Sequence, residues 1–185
     1  MEGTERIVLE NLCMLRNGSK VLVEDKITED IRGIIFPGGH VEEHEPIVDS
    51  VIREMKEETG LTIEDPVLCG VKNWIDETGT RYVVFLFKAE KFSGTLTSSS
   101  EGRVFWVEID QVLDLPWIWG MDSLMKIFVD GKYSELFLSA EEGWMPVLKT
   151  GWRILVTSSR ELAGPFYMRI RYQFAYACPP IPFRL

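Results

Sequence analysis

The stretch between Pro46 and Gly60, "IVDSVIREMKEET", most tightly constrains what this chain can fold into. Proline suits the first position of a helix, where its missing N–H costs nothing. Glycine can take the left-handed turn that ends one. Glu45, just ahead, complements the positive end of the helix dipole. On a wheel of about 100° per residue, Glu54, Glu57 and Glu58 fall within an arc of roughly 100°. Ile47, Val48, Val51, Ile52 and Met55 form an apolar face beside them, and Glu58 lies only about 20° from Val51. Asp49, Arg53 and Lys56 point more nearly to solvent. The acids therefore flank the buried face, where a groove wall would stand.

Like charges one turn apart destabilise a helix. Acid-rich helices are ordinarily solvated faces laced with salt bridges, but here Glu54 repels both Glu57 and Glu58, and basic partners are few. A hard divalent cation such as Mg²⁺ offsets such repulsion, taking carboxylate oxygens and leaving positions for waters and phosphates. Just upstream, "FPGGHVEEHE" places Pro37, Gly38 and Gly39 in a tight loop whose backbone can approach a ligand closely and whose carbonyls can reach a metal.

The net charge of −9 argues against non-specific binding to a nucleic-acid polymer, which runs on Lys and Arg neutralising phosphates. An anionic substrate would need a local positive source, and a bound metal supplies one. No apolar run reaches the roughly 18 residues of a membrane span, and the acidic, polar start does not read as a secretory signal. Cys13, Cys69 and Cys178 are widely spaced with no CxxC, which reads as isolated thiols in a reducing compartment. The expected setting is the cytoplasm, with no membrane partner.

From Thr150 onward residue usage shifts: five Arg, no Lys, one Glu, four of the nine prolines and seven aromatics. Such a break marks a boundary, giving a domain over 1–149 and a tail over 150–185. The tail reads either as an added basic, aromatic arm or as sequence foreign to the ancestral domain, such as a frameshifted or read-through end; no motif or periodicity organises it. Within the domain, "RIVLENLCML" and "SKVLVED" flank "RNG" as a hairpin. "GIIF", "PVLCGVKNWID", "TRYVVFLFKAEKF", "RVFWVEI" and "YSELFL" read as further strands, with "SGTLTSSSEG" a flexible connection. "MDSLMKIFVDG" reads as an amphipathic helix ending at Gly131. The expected architecture is α/β, a mostly β core covered by helices.

From Gly39 to Leu61 the sequence "GHVEEHEPIVDSVIREMKEETGL" resembles the signature of the Nudix hydrolases. Its fixed positions are filled by Gly39, Glu45, Arg53, Glu54, Glu57, Glu58 and Gly60, with Met55 and Leu61 in aliphatic slots. The resemblance implies an α/β/α sandwich around a mixed sheet and a pyrophosphohydrolase of nucleoside diphosphate derivatives. It also implies Mg²⁺ or Mn²⁺ held by Glu54, Glu57 and Glu58, with a carbonyl of Gly38 or Gly39 completing the set. Arg53 and Glu45 look like the family's orienting pair. His44 departs from the glycine many members carry, which implies a changed loop conformation without lost activity. His40 reads as an exposed loop residue, with phosphate contact the alternative.

"FPGGHVE", "VKNW", "FSGTL" and "SSEGRVFWVEIDQV" are similar to the MutT-type branch, which acts on oxidised purine nucleoside triphosphates such as 8-oxo-dGTP. That likeness implies nucleotide-pool sanitation, with monophosphate and pyrophosphate as products. It makes Glu101 a further metal ligand or base. "PWIWGMD" resembles the branch's base-recognition segment, where Trp117 or Trp119 would stack on a purine and Asp122 accept hydrogen bonds from its edge. The alternative is two core tryptophans and a helix-capping aspartate. ADP-ribose, a dinucleoside polyphosphate, or nucleotide binding without catalysis remain as other readings; the last is usually marked by loss of the glutamates, all present here.

Overall fold

A computed structural model describes residues 4–28, 32–118, 120–139 and 145–150, with the backbone alone at 121, 122, 139 and 145. The tail reading therefore falls, after Thr150, outside the described residues. In chain order the elements are β1 (Ile7–Asn17), β2 (Lys20–Ile27), β3 (Arg32–Ile35), α1 (Ile47–Thr59), β4 (Leu61–Glu64), β5 (Val67–Ile75), β6 (Arg81–Ala89), β7 (Lys91–Gly94), β8 (Gly102–Glu108), α2 (Met121–Asp130), β9 (Glu135–Ser139) and β10 (Met145–Lys149).

β1 and β2 form the expected hairpin, turning at Gly18, whose φ of 62° glycine adopts at low cost. The two strands then part. β1 runs parallel to β6 from Ile7↔Arg81 to Leu15↔Ala89, while β2 pairs antiparallel with β3 and with β8. β5 lies between β6 and β9, antiparallel to the first and parallel to the second, with β10 beside β9. The large sheet is thus mixed.

Successive strand side chains point to opposite faces, and that alternation divides the core in two. Cys13, Leu15, Leu22 and Phe87 pack with Val51 and Met55 of α1. Leu12, Met14, Val21, Val23 and Leu86 pack with Leu124, Ile127 and Phe128 of α2. The sheet therefore lies between two helices, the α/β/α arrangement. Burying each of these apolar side chains contributes about 1.5–3 kcal/mol.

Several boundaries differ from the sequence reading. Pro46 caps α1 in extended conformation, with ψ at 138°, and the helix begins at Ile47. Gly60 ends it as expected, at φ 71°. "TRYVVFLFKAEKF" is two strands, not one: after Ala89 the chain leaves β1, and β7 pairs with β4, which follows directly on the helix. The segment read as flexible is tied down. Thr97 N–H donates to the carbonyl of Thr59 at 2.9 Å, and Val104 N–H to Ser98 Oγ at 3.1 Å.

Among the described residues, no helix is long and apolar enough to cross a membrane. Cys13 and Cys69 are free thiols. Burial raises both above the ordinary thiol range, Cys69 to about 11.

Candidate active site

The loop from Pro37 to Val41 lies along β1. Cys13 N–H donates to Pro37 O at 2.9 Å, Asn11 N–H to Gly39 O at 2.8 Å, and Val41 N–H to Leu9 O at 2.9 Å. Gly38 sits at φ 147°, and a Cβ there would fall 2.2 Å from the Asn11 carbonyl oxygen, so only glycine fits. A Cβ on Gly39 would strike the Glu54 carboxylate at 2.6 Å, which shows how closely α1 covers this loop. Asn11 also fixes the helix, donating from Nδ2 to Ser50 Oγ at 3.0 Å. His44 takes φ 65°, in the left-handed region a glycine would favour. The loop therefore keeps a glycine-like turn at this position, contrary to the expected change. His40 is exposed, 3.4 Å from a Glu10 oxygen.

Arg53 is the hub of one half of the site. Its Nε and Nη2 donate to the two oxygens of Glu45 at 2.8 and 2.9 Å, a bidentate pair. Nη2 also donates to the His40 carbonyl at 3.0 Å, and Nη1 to Glu54 and Glu57 at 2.9 and 3.0 Å. The residue that the helical wheel turned toward solvent instead folds back across the acids. The Arg53 hydrogen bonds hold the Glu45 carboxyl down at about 2. Burial raises Glu54, partly offset by Arg53. Glu57 stays exposed.

Lys26 of β2 is the hub of the other half. Its Nζ lies 2.7 Å from Glu58, 3.0 Å from Glu101 and 3.6 Å from Glu24. Glu58 is almost fully buried, and its second oxygen accepts the Gly38 N–H at 2.7 Å. Burial pushes its carboxyl up to about 7, against the pull of Lys26. Burial likewise raises Glu24. For Lys26 burial works against the charge, but Glu58 foremost outweighs it and the amine is raised. The register Lys26↔Gly102 across β2 and β8 carries Glu101 here, and Ile27 N–H donates to the Glu101 carbonyl at 2.9 Å.

The structure thus gathers Glu45, Arg53, Glu54, Glu57, Glu58, Glu101, Gly38 and Gly39 around one loop–helix junction. Glu24, Lys26 and Asn11 belong to it too and were missed from sequence. An acid and an amine two residues apart, in line with Leu22 on an otherwise apolar strand face, were the available signal. Trp117 has a different place: its indole N–H donates to the Val112 carbonyl and its ring packs on Phe36 with centroids 5.2 Å apart. That is the core-tryptophan alternative, and the indole N–H is already committed. Trp119 and the side chain of Asp122 lie outside the described residues.

Among the described residues, no three acidic, His or Cys side chains close on one point, because the carboxylates are drawn to Arg53 and Lys26. The donor set nevertheless fits a hard divalent ion. It is all oxygen, rich in carboxylates, and includes buried Glu24 oxygens that accept no hydrogen bond among the described residues. Gly39 O already accepts one bond, from Asn11, leaving one lone pair for a metal.

A mixed sheet between two helices, with a glycine loop locked beneath a carboxylate-bearing helix, is the framework of a phosphoanhydride-cleaving fold. A model of the NUDIX domain matches residues 11–128. The chain belongs to the Nudix family and is an enzyme of its pyrophosphohydrolase class. It is 33% identical over 126 residues to the uncharacterized Nudix hydrolase YvcI of Bacillus subtilis, covering 65% of this chain and 78% of that one. With the human 8-oxo-dGDP phosphatase NUDT18 it shares 35% identity over 99 residues, half of this chain but only 29% of the relative. The crystal structure of the MutT protein from Bacillus halodurans superposes with a TM-score of 0.61 at 27% identity, over 76% of this chain and 94% of that one.

Proposed function

We propose that the protein hydrolyses oxidised purine nucleoside triphosphates such as 8-oxo-dGTP to the monophosphate and pyrophosphate, using Mg²⁺ or Mn²⁺, and so cleans the nucleotide pool. The observation that carries this reading is the locked junction itself. Arg53 clamps Glu45 and spans Glu54 and Glu57, while Gly38 N–H grips Glu58. Similarity to a MutT protein and to a phosphatase named for 8-oxo-dGDP supports the purine choice.

The residues that would hold the ion are Glu54, Glu57, Glu58 and Glu101, with a carbonyl of Gly38 or Gly39. When bound, the ion supplies charge neutralisation of the phosphates and polarisation of phosphorus. The chain's own part is positioning and proton handling. Arg53 and the β1 contacts hold the loop and helix in one geometry, which is what in-line displacement needs. Water attacks a phosphorus of the α–β bridge, the bridging P–O bond breaks so that monophosphate and pyrophosphate part, and the water's proton passes to a carboxylate. Glu57 and Glu101 present the exposed carboxylates on this side.

The test is product analysis over 8-oxo-dGTP, 8-oxo-dGDP, dGTP, ADP-ribose and dinucleoside polyphosphates, with and without metal. Preference for 8-oxo-dGTP, with pyrophosphate released, is expected. Equal use of dGTP or ADP-ribose overturns it. The likeness to NUDT18 favours a second reading, nucleoside diphosphates as substrates, for which the same panel would show orthophosphate from 8-oxo-dGDP.

A further inference from the structure

Lys72 stands in β5 within the run "VKNW", and the junction around Arg53 and Lys26 makes no use of it. A strand lysine ordinarily carries its amine to water. This residue is buried, at 9% exposure, and no hydrogen bond or ion pair reaches its Nζ among the described residues. What the amine does have is the ring of Trp74, 5.1 Å from Nζ to the centroid, and that ring stacks in turn on Tyr82. A contact with a ring face replaces only part of the hydration that a buried ammonium gives up.

The acid that acts on Lys72 is Glu10 of β1. Both residues pair with Val84 of β6, from opposite sides, so their side chains rise from one row on one face of the sheet. Two strand spacings, about 9.5 Å, separate their backbones, and no ion pair joins them. Burial pulls the Lys72 amine below its ordinary range and pushes the Glu10 carboxyl above its own. Neither charge replaces what the other has lost. Glu10 also touches the glycine loop: it bridges His40 through the backbone, and its carboxylate lies 3.4 Å from His40 Nε2. The row therefore starts at the loop beside the phosphate site and runs toward β5, within reach of the base of the same nucleotide.

An ammonium only donates hydrogen bonds and a carboxylate only accepts them. Together they fit a lactam, a carbonyl oxygen next to an N–H. Guanine and hypoxanthine carry one at C6=O and N1–H, and 8-oxoguanine carries a second at C8=O and N7–H. Adenine presents the reverse, an amino donor beside a bare ring nitrogen, and would leave both charges unmet.

We propose that Lys72 and Glu10 select the base, Lys72 donating to the carbonyl oxygen and Glu10 accepting from the adjacent N–H of a lactam-bearing purine. The inference rests on the purine triphosphate reading, and its test keeps the two separable.

The experiment is steady-state kinetics of the full chain with Mg²⁺ on dITP, dATP, dGTP and 8-oxo-dGTP, for wild type, Lys72→Met and Glu10→Leu. dITP and dATP differ only at the edge in question. Wild type is expected to favour dITP at least tenfold in kcat/KM, the behaviour of a hydrogen-bonding site that meets the wrong group. In each variant that ratio falls at least tenfold, with the KM for dITP carrying the change. Lys72→Met should melt at or above wild type, because it removes a buried amine that lacks a partner. Should it melt too low to assay, Glu10→Leu, at a less buried position, carries the comparison. A merely structural Lys72 would lower dITP and dATP alike. That result, or a wild type indifferent between the two, overturns the inference, and an unchanged ratio in Glu10→Leu overturns the part given to Glu10. A strong preference for dITP without any for 8-oxo-dGTP over dGTP overturns the oxidised-substrate reading alone. No hydrolysis of any of the four overturns both.

Discussion

Two cations organise the acids of this site, and they do so in opposite ways. Arg53 is partly exposed and lays a planar fork against Glu45, Glu54 and Glu57, with hydrogen bonds of 2.8 to 3.0 Å to all three. Lys26 is nearly buried and offers one compact ammonium to Glu24, Glu58 and Glu101, reaching the last two well and the first poorly. The Arg53 side is satisfied and geometrically fixed, and it pulls Glu45 below the ordinary carboxylate range. The Lys26 side is under-neutralised and leaves Glu58 and Glu24 raised. A fork serves to orient, whereas a point charge can be exchanged.

The sharpest way to break this contrast is Glu57→Gln. Removing an exposed carboxylate from the oriented side should lower turnover by about a thousandfold with the melting temperature unchanged. Steady-state kinetics beside circular dichroism check it, and retained metal-dependent activity would refute the assignment of Glu57.

On the other side, Lys26→Met should act on folding. It strands buried acids without a counter-charge, and metal-free stability in urea should fall by about 3 kcal/mol. A drop below about 1 kcal/mol, the scale of a surface pair, would mean that the acids had simply taken up protons.

Arg53→Lys keeps the charge and removes the fork. We expect a loss of about 10- to 100-fold in turnover, the scale of losing a partner that orients a ligand, with little change in urea stability. Wild-type turnover would show that charge alone suffices.

The smallest effect is in the pH profile of the metal-free protein, where the two sides carry opposite signs. Glu58 titrates near 7 when folded and near the ordinary 4.5 when unfolded. Its contribution is present below 4.5 and is lost as pH rises toward 7. Glu45 runs the other way: its contribution is present above 4.5 and is lost as pH falls toward 2. Melting curves from pH 2 to 8 should show both limbs. Glu58→Gln should flatten the upper one and Glu45→Gln the lower.

The contrast also explains what could be read from the chain. Everything around Arg53 lies between Gly39 and Gly60, so helical periodicity grouped the acids and likeness to a family signature paired Arg53 with Glu45. Even there, the wheel sent Arg53 outward, because a wheel places Cβ and says nothing of where a long side chain folds. The Lys26 group needs β2, α1 and the approach to β8 to meet. Only the pairing of Lys26 with Gly102 brings it about, and no local pattern encodes that register. Glu101 was legible through family likeness, whereas Glu24 and Lys26 passed as part of a β-rich run. The same limit hid β4 and β7. They are short strands that make sense only as each other's partners.

One tie described above bears on how the protein can change over evolution. Thr97 N–H is bonded to the carbonyl of Thr59 at the end of α1, and a Cβ on Gly60 would lie 2.5 Å from the Thr95 carbonyl oxygen. The connection from β7 to Glu101 is therefore moored to the helix that carries the other acids. Surface connections usually absorb insertions cheaply. Here the segment is tied at both ends, to α1 at Thr97 and to β2 through the Glu101 carbonyl, so an insertion can only bulge from the few residues between these two anchors.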